Sequence, residues 1–349
     1  MEEVAVRLKD QFDFTIVTAK LRKDAPRTGY LVSPSPLAGG EGGVRVMRVG
    51  LGRPIDKWLF PFLAPFAVRR VRPQIVHAVL ESFAGLALVF SKSLFRNAKY
   101  ILTCQSTNTS LLVRLMHRRA DRVTVISRAL SERALRYGRA DALLIPNGID
   151  GVLIARACAD FKKIPGRILF VGRLEPMKGV DTLIRAFARL FPLTQPSLHG
   201  GEGVHLRIVG RGSEEAALKR LAKDLGLAER VTFVGFVPMP QVYEEFAQAQ
   251  VFCALSRSEA LGNVFLEAQA AGCAVVATRV GGIPDIIEDG RTGLLVASDD
   301  AEAAAQALES VLTDQHKWAI LAEAGVANAR SYDWSGIVER YAEVYRSLA

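Results

Sequence analysis

Short, continuous apolar runs alternate with longer segments whose apolar residues recur every three or four positions, from one end of the chain to the other. The runs "DFTIVTA", "VRVMRV", "QIVHAVL", "KYILTC" and "RVTVIS" read as strands in the first half; "RILFVG", "HLRIVG", "RVTFVG", "QVFCAL" and "AVVAT" do so in the second. Between the latter lie "VDTLIRAFARL", "EEAALKRLAKDLG", "QVYEEFAQA" and "VFLEAQAAG", whose spacing gathers apolar side chains on one helical face. Strands that are apolar on both faces and separated by helices predict parallel sheets covered on both sides. The fold class is therefore α/β, with two doubly wound, Rossmann-like domains. The turn signal "IPNGID" at 145–150 separates the two series. The spacing places the domains at 1–155 and 156–330, followed by an amphipathic helix, "WSGIVERYAEVYRSLA", within 331–349.

Two stretches break the rhythm, "SPSPLAGGEGG" (33–43) and "QPSLHGGEG" (195–203). Neither sits directly between a strand and a helix, as a functional glycine loop would, so both read as surface insertions. Charge changes the picture more. The net +9 is uneven: residues 1–150 carry 24 Lys and Arg against 12 Asp and Glu, and the remainder is slightly acidic. A basic first half points to an anionic partner or to a solvated basic face. No aromatic interleaving and no nucleic-acid module accompany the basic residues, so nucleic acid is not expected, and a phosphate-bearing substrate or an anionic lipid surface fits better. "WLFPFLAPFAVRRVRP" (58–73) sets Trp58, Phe60, Phe62, Leu63 and Phe66 ahead of Arg69, Arg70 and Arg72, a pattern suited to peripheral membrane contact. Pro61 and Pro65 argue against a regular helix there. Four cysteines without a CxxC, no apolar leader at the start and no apolar run of spanning length predict a cytoplasmic protein without a metal cluster.

Ligands of open parallel sheets bind at the carboxyl ends of the strands. Three such junctions stand out. In "ILFVGRLEPMKGVDTL", Arg173 follows the strand and Lys178-Gly179 precede a helix, two cations suited to a diphosphate. In "LRIVGRGSEEAAL", Glu215 stands where a dinucleotide fingerprint needs a third glycine, so Gly210 and Gly212 are expected only to turn the chain tightly beside a ligand. In "SRSEALGNVFLEAQAAG", Glu259 falls in a loop and Glu267 about one turn inside a helix whose first donors belong to Leu261, Gly262, Asn263 and Val264. A buried carboxylate is costly unless it holds something. Glu267 could accept both hydroxyls of a ribose, and Glu259 those of a sugar.

These residues carry a resemblance. Gly172-Arg173-Leu174, Lys178-Gly179, Glu259 and Glu267 eight positions apart, and "VVATRVGGIPDIIEDGRTGLLV" together resemble the retaining glycosyltransferases of family 4, which have the GT-B fold. The resemblance runs over nearly the whole chain and is strongest over 165–300. It implies transfer of a sugar from a nucleotide-diphosphate sugar to a hydroxyl acceptor, in glycan, glycolipid or polysaccharide synthesis, the acceptor in some cases lipid-linked. It implies that Arg173 and Lys178 hold the donor diphosphate, Glu267 the ribose, Glu259 the donor sugar, and the backbone around Val237 the nucleobase. It also implies that the last helix crosses back to the first domain. The chain has no DxD motif, so no metal or other cofactor is expected, and the charge on the leaving diphosphate falls to the cations and the helix N-terminus.

Two departures shape further expectations. The family's first strand and glycine-rich loop have no counterpart here, because Val4, Leu8 and Phe12 already share one face of a helix expected over 2–10. The strands near Phe14–Val17 and Ile75–Val79 then either pair directly or leave a gap, while the second domain is complete. His77 is followed by Val79 where many members have a second histidine, which makes His77 a packed strand residue. A non-catalytic nucleotide-sugar binder or partner subunit is the alternative, told apart by donor hydrolysis; a sugar-nucleotide epimerase is a third, told apart by its product.

Overall fold

The structure, a computed structural model, describes residues 2–24, 26–31, 44–191 and 203–349; both glycine-rich insertions lie outside these, Gly203 excepted. The chain forms two units, 1–147 with 334–349, and 148–333.

The first unit opens on α1 (Glu2–Arg7), shorter than the expected helix. After Arg7 the chain turns, and the N–H groups of Gln11 and Phe12 donate to the Leu8 carbonyl. β1 (Thr15–Ala19), β2 (Thr28–Leu31) and β3 (Val44–Val49) form a small sheet in the order β1-β3-β2, with β1 parallel and β2 antiparallel to β3. Then come α2 (Asp56–Val71), β4 (Ile75–Val79), α3 (Phe83–Leu94), β5 (Lys99–Cys104), α4 (Leu111–Arg119), β6 (Arg122–Val125), α5 (Arg128–Arg136) and β7 (Leu143–Leu144). The four strands make a separate parallel sheet, β4-β5-β6-β7. Among the described residues β1 and β4 share no ladder; each ends its own sheet. Of the two outcomes the sequence left open, direct pairing or a gap, the described residues show the gap, with two separate sheets.

Contrary to the sequence expectation, Pro61 and Pro65 lie inside one regular helix of 16 residues, α2. Each proline removes one intrahelical bond, but both rings are buried on the inner face of α2, which packs on α3. Trp58, Phe62 and Phe66 stay 60%, 60% and 67% exposed, with Trp58 edge-on to Phe83 and Phe62 stacked on Phe90 of α3.

The second unit begins at 148 rather than at 156. Ile149 bridges to Asp333, and its N–H donates to the Tyr332 carbonyl at 2.9 Å. Asp150 caps α6 (Gly151–Cys158) by accepting the Leu153 N–H at 2.8 Å. The unit continues through β8 (Ile164–Val171), α7 (Val180–Ala188), β9 (His205–Val209), α8 (Glu215–Asp224), β10 (Val231–Gly235), α9 (Val242–Gln248), β11 (Ala249–Ala254), α10 (Asn263–Ala270), β12 (Ala274–Thr278), α11 (Ile283–Ile286), β13 (Leu294–Val296), α12 (Ala301–Thr313) and α13 (Gln315–Arg330). α6 packs on α9 and α10, which ties residues before 156 to this unit. Its six strands form one parallel sheet, β10-β9-β8-β11-β12-β13. The chain lays strands outward from β8 to β10, then returns to the other side of β8 with β11, so the winding reverses between β8 and β11.

The last helix, α14 (Trp334–Arg346), belongs to the first unit. Tyr341 and Tyr345 on α14 join Val4 on α1, Leu8 in the turn after it, Ile101 on β5 and Ile145 in one buried core, with Phe12 and Phe14 packed against it. His77 on β4 is held inside this unit: Nδ1 lies 2.9 Å from the Tyr345 hydroxyl and Nε2 2.6 Å from the Thr103 hydroxyl. Burial pushes its pKa down to about 3, so it is a neutral, packed residue.

Candidate functional site

Crevices in open α/β sheets form where the winding reverses. In the second unit that point lies between the carboxyl ends of β8 and β11, the two strands that deliver the expected site residues. β8 leads through Gly172 and Arg173 to a 3-10 turn, Pro176–Lys178, and Gly179, the residue before α7. β11 leads through Glu259 to Gly262, the N-cap of α10.

The loops are locked to one another by backbone contacts. The Arg257 N–H donates to the Met177 carbonyl at 2.8 Å, and the Gly282 N–H to the Glu259 carbonyl at 3.1 Å. A Cβ on Gly281 would stand 1.8 Å from that same Glu259 oxygen. Side chains at Gly210 and Gly212 would meet the Gly172 and Leu174 backbone at 1.8 and 2.2 Å. Their bareness lets the β9 loop press against the β8 loop, where the Leu174 N–H donates to the Arg211 carbonyl at 2.9 Å.

On this frame Lys178 Nζ lies 2.5 Å from Glu259 Oε2, both side chains being mostly buried. Two residues expected to hold separate parts of a ligand are thus paired with each other. The ammonium keeps two further donors beyond this bond. Arg173 is exposed on the same loop, its Nη2 3.9 Å from the Met177 sulfur. Glu267 lies in the second turn of α10, half-buried, and its carboxylate has no hydrogen-bond or ion-pair partner among the described residues. Burial raises its pKa to about 7.

α10 starts without a side-chain cap; Gly262 at its N-cap has φ +94° and Leu261 before it is buried. Asn263 and Val264 form its first turn, half-buried. Val237 follows β10 on the same sheet edge, two strands from β8 and hence about 10 Å away at ordinary strand spacing. The structure therefore brings Lys178 and Glu259 into contact, sets Arg173 on the loop of Lys178 and Glu267 in the second turn of α10, and leaves Val237 two strands away.

Sequence reasoning missed Arg257 and Phe236. Arg257 donates to Asp181 at 2.9 Å, to Asp299 at 2.7 Å and to the Pro176 carbonyl, tying the turn that carries Lys178. Its partners are remote in sequence, so no local pattern marked it. Phe236, beside Val237, is 68% exposed, and its place directly after a strand was the available signal.

Comparison with known proteins shows the family. Residues 157–331 match the family model "Glycosyl transferases group 1", and residues 1–151 match "Glycosyltransferase Family 4". A D-inositol 3-phosphate glycosyltransferase of Acidothermus cellulolyticus is 40% identical over 184 residues, 51% of this chain and 40% of the relative. The match thus spans well under half the length of that relative. Among solved structures, sucrose-phosphate synthase from Thermosynechococcus elongatus superposes with a TM-score of 0.81 at 23% identity, covering 99% of this chain and 92% of that one. Anabaena HepE in complex with UDP and glucose gives 0.70 at 23% identity, covering 83% of each chain. At such identities the likeness is one of fold, and the fold is GT-B.

Proposed function

Since the chain belongs to the glycosyltransferases of family 4, we propose that it moves a sugar from a nucleotide-diphosphate sugar to a hydroxyl acceptor with retention at the anomeric carbon. The observation that carries the reading is the set of groups at the winding reversal: a Lys178–Glu259 pair and an exposed Arg173 on its loops, with an unpartnered, half-buried Glu267 in the second turn of α10.

In this reading Arg173 and Lys178 take the diphosphate, with the uncapped start of α10 beside them. Glu267 accepts the ribose hydroxyls, Glu259 those of the donor sugar, and the loop at Val237 meets the base, with Phe236 offering a ring face for stacking. The anomeric carbon–oxygen bond to phosphate breaks as the acceptor oxygen bonds to the same face. The acceptor proton passes to the departing phosphate oxygen, so no side-chain base is needed. Negative charge grows on the diphosphate, and the two cations stabilise it more in the transition state than in the ground state. No metal enters this scheme. UDP-glucose is the first donor to try, because HepE is seen with UDP and glucose. Arg173→Ala and Lys178→Ala are expected to lower transfer more than nucleotide binding, measured as kcat against Kd. Intact transfer in the double variant, or a strict Mn²⁺ requirement after chelation, would count against the assignment.

The free cysteines, none in a disulfide, support a cytoplasmic setting. No described helix is long and apolar enough to cross a membrane. The exposed aromatics of α2 support peripheral contact with an anionic membrane, through Trp58, Phe62 and Phe66 ahead of the exposed Arg69, Arg70 and Arg72.

A further inference from the structure

A parallel sheet wound on both faces is apolar on both, and the second unit breaks that rule toward the amino ends of β8, β9 and β10. Arg167 on β8 stands level with His205 on β9, and Arg207, two residues on, stands level with Thr232 on β10. Partners in register and residues two apart share a face, so all four project from the same side of the sheet. α9 supplies two polar partners there. Glu245 accepts from Arg207 Nε and Nη2 at 2.8 and 2.7 Å, and Gln248 Oε1 accepts from Arg167 Nη1 at 2.8 Å. His205 and Thr232 stay exposed, and the four side chains line a cavity of about 330 Å³ bordered by Gly203. Arg230 stands beside that border, since a Cβ on Gly203 would lie 2.9 Å from Arg230 Nη1.

Three guanidiniums thus meet one carboxylate. Glu245 is spent in the two-bond fork with Arg207 and balances one charge. The half-buried Arg167 has the neutral amide of Gln248 as its hydrogen-bond partner among the described residues. The half-buried Arg230 lies over the Phe191 ring, 4.4 Å from its centroid, and forms no ion pair with a described carboxylate. Burial, and after it the like charge of Arg207, lower the Arg167 pKa against the pull of Glu245. A guanidinium keeps its charge even so, and the excess positive charge stays unanswered. Guanidinium forks match the oxygens of a phosphate group, and the Thr232 hydroxyl both donates and accepts. The volume lies within the range of small-molecule sites. This cavity is not the nucleotide crevice. Arg167 stands in the first half of β8 and Arg173 beyond its carboxyl end, about 20 Å away at ordinary strand rise.

We propose that Arg167, Arg207 and Arg230 form a second anion site in this unit, for a small soluble phosphate monoester, separate from the loops of β8 and β11. The proposal goes beyond the transferase reading and does not rest on it. The test is calorimetry of the full chain with glycerol 3-phosphate and inorganic phosphate as probes and glycerol as the uncharged control, all with UDP at saturation. Glycerol 3-phosphate is expected to bind and glycerol not to. Arg167→Gln with Arg230→Gln should weaken binding at least tenfold. Thr232→Glu, at an exposed position, sets a carboxylate at the cavity; it should weaken binding at least fivefold at the parental Tm, so that loss of affinity there is not loss of fold. Arg173→Ala with Lys178→Ala should leave the affinity within twofold. Silence from both phosphate probes, parental affinity in Thr232→Glu, binding lost with Arg173 and Lys178, or displacement of glycerol 3-phosphate by UDP would each overturn the proposal. Absent UDP binding, with glycerol 3-phosphate bound by the parent and weakened by Thr232→Glu, would instead overturn the donor site and leave the cavity assigned.

Discussion

Glu267 is a carboxyl that the fold prefers to keep protonated near neutrality. Its pKa, ordinarily 4.5, is raised to about 7 by burial. The folded chain then binds this proton more tightly than the unfolded chain, so this group's contribution to stability falls as pH rises from about 4.5 to about 7 and is flat above. Glu267→Gln stays neutral throughout, so it should gain in Tm relative to the parent between pH 5 and pH 8. Ligand hydroxyls that donate to the carboxylate favour its charged form and bind with loss of the proton. Nucleotide affinity, corrected for the same titration in Glu267→Gln, should therefore rise about tenfold from pH 6 to pH 8. A flat difference would show that Glu267 does not receive the ribose. The positions of Glu259, Glu267, Arg173 and Lys178 were legible in sequence because each follows a strand in a parallel αβ rhythm, and that rhythm fixes which strand ends face a ligand. The Lys178–Glu259 bond was not legible, since it depends on β8 and β11 being neighbours, which strand order alone decides.

At the scale of elements, loops that share a sheet edge stay in register because glycines let their backbones touch. Gly281→Ala would drive a Cβ into the Glu259 carbonyl at 1.8 Å and impose a left-handed backbone on alanine. The expected cost exceeds about 1 kcal/mol, with loss of nucleotide affinity as Glu259 moves. Gly226→Ala, after α8, shares the positive φ, +70°, but meets nothing within 4 Å, so it controls for backbone strain alone. Equal nucleotide affinities in the two variants, measured by calorimetry, would refute the coupling. α2 teaches the converse lesson about legibility. Two prolines read locally as helix breakers, yet the helix stands because both rings point inward to the packed face, a tertiary fact. Trp58, Phe62 and Phe66, spaced about one turn apart, stay largely exposed while the first two lean on rings of α3. The chain is expected to sediment with vesicles rich in phosphatidylserine at low salt. Replacing the three aromatics by serine should abolish this, and parental sedimentation of that variant would dismiss α2 as the contact.

The two units differ in how completely their sheets are bonded, and this should show in how the molecule unfolds. The second unit has six strands in one unbroken parallel ladder. The first has its strands in two sheets, and β1 and β4 each end a sheet with one side that makes no described ladder bond. Backbone groups at such edges must find water or side chains, and where they are buried they cost stability. α1 and α14 cover part of the deficit with the Val4, Leu8, Tyr341 and Tyr345 core, but side-chain packing does not replace a strand's hydrogen bonds. Calorimetry of the whole chain should therefore give two transitions, the first unit melting below the second. Nucleotide bound to the loops of β8 and β11 stabilises only the unit that holds it. At 100 times its dissociation constant it adds about 2.7 kcal/mol, which should shift the upper transition and leave the lower one in place. A single transition that moves as a whole with nucleotide would mean that the units unfold together and that the split sheet does not weaken the first. A shift confined to the lower transition would place the nucleotide in the other unit, away from Glu267.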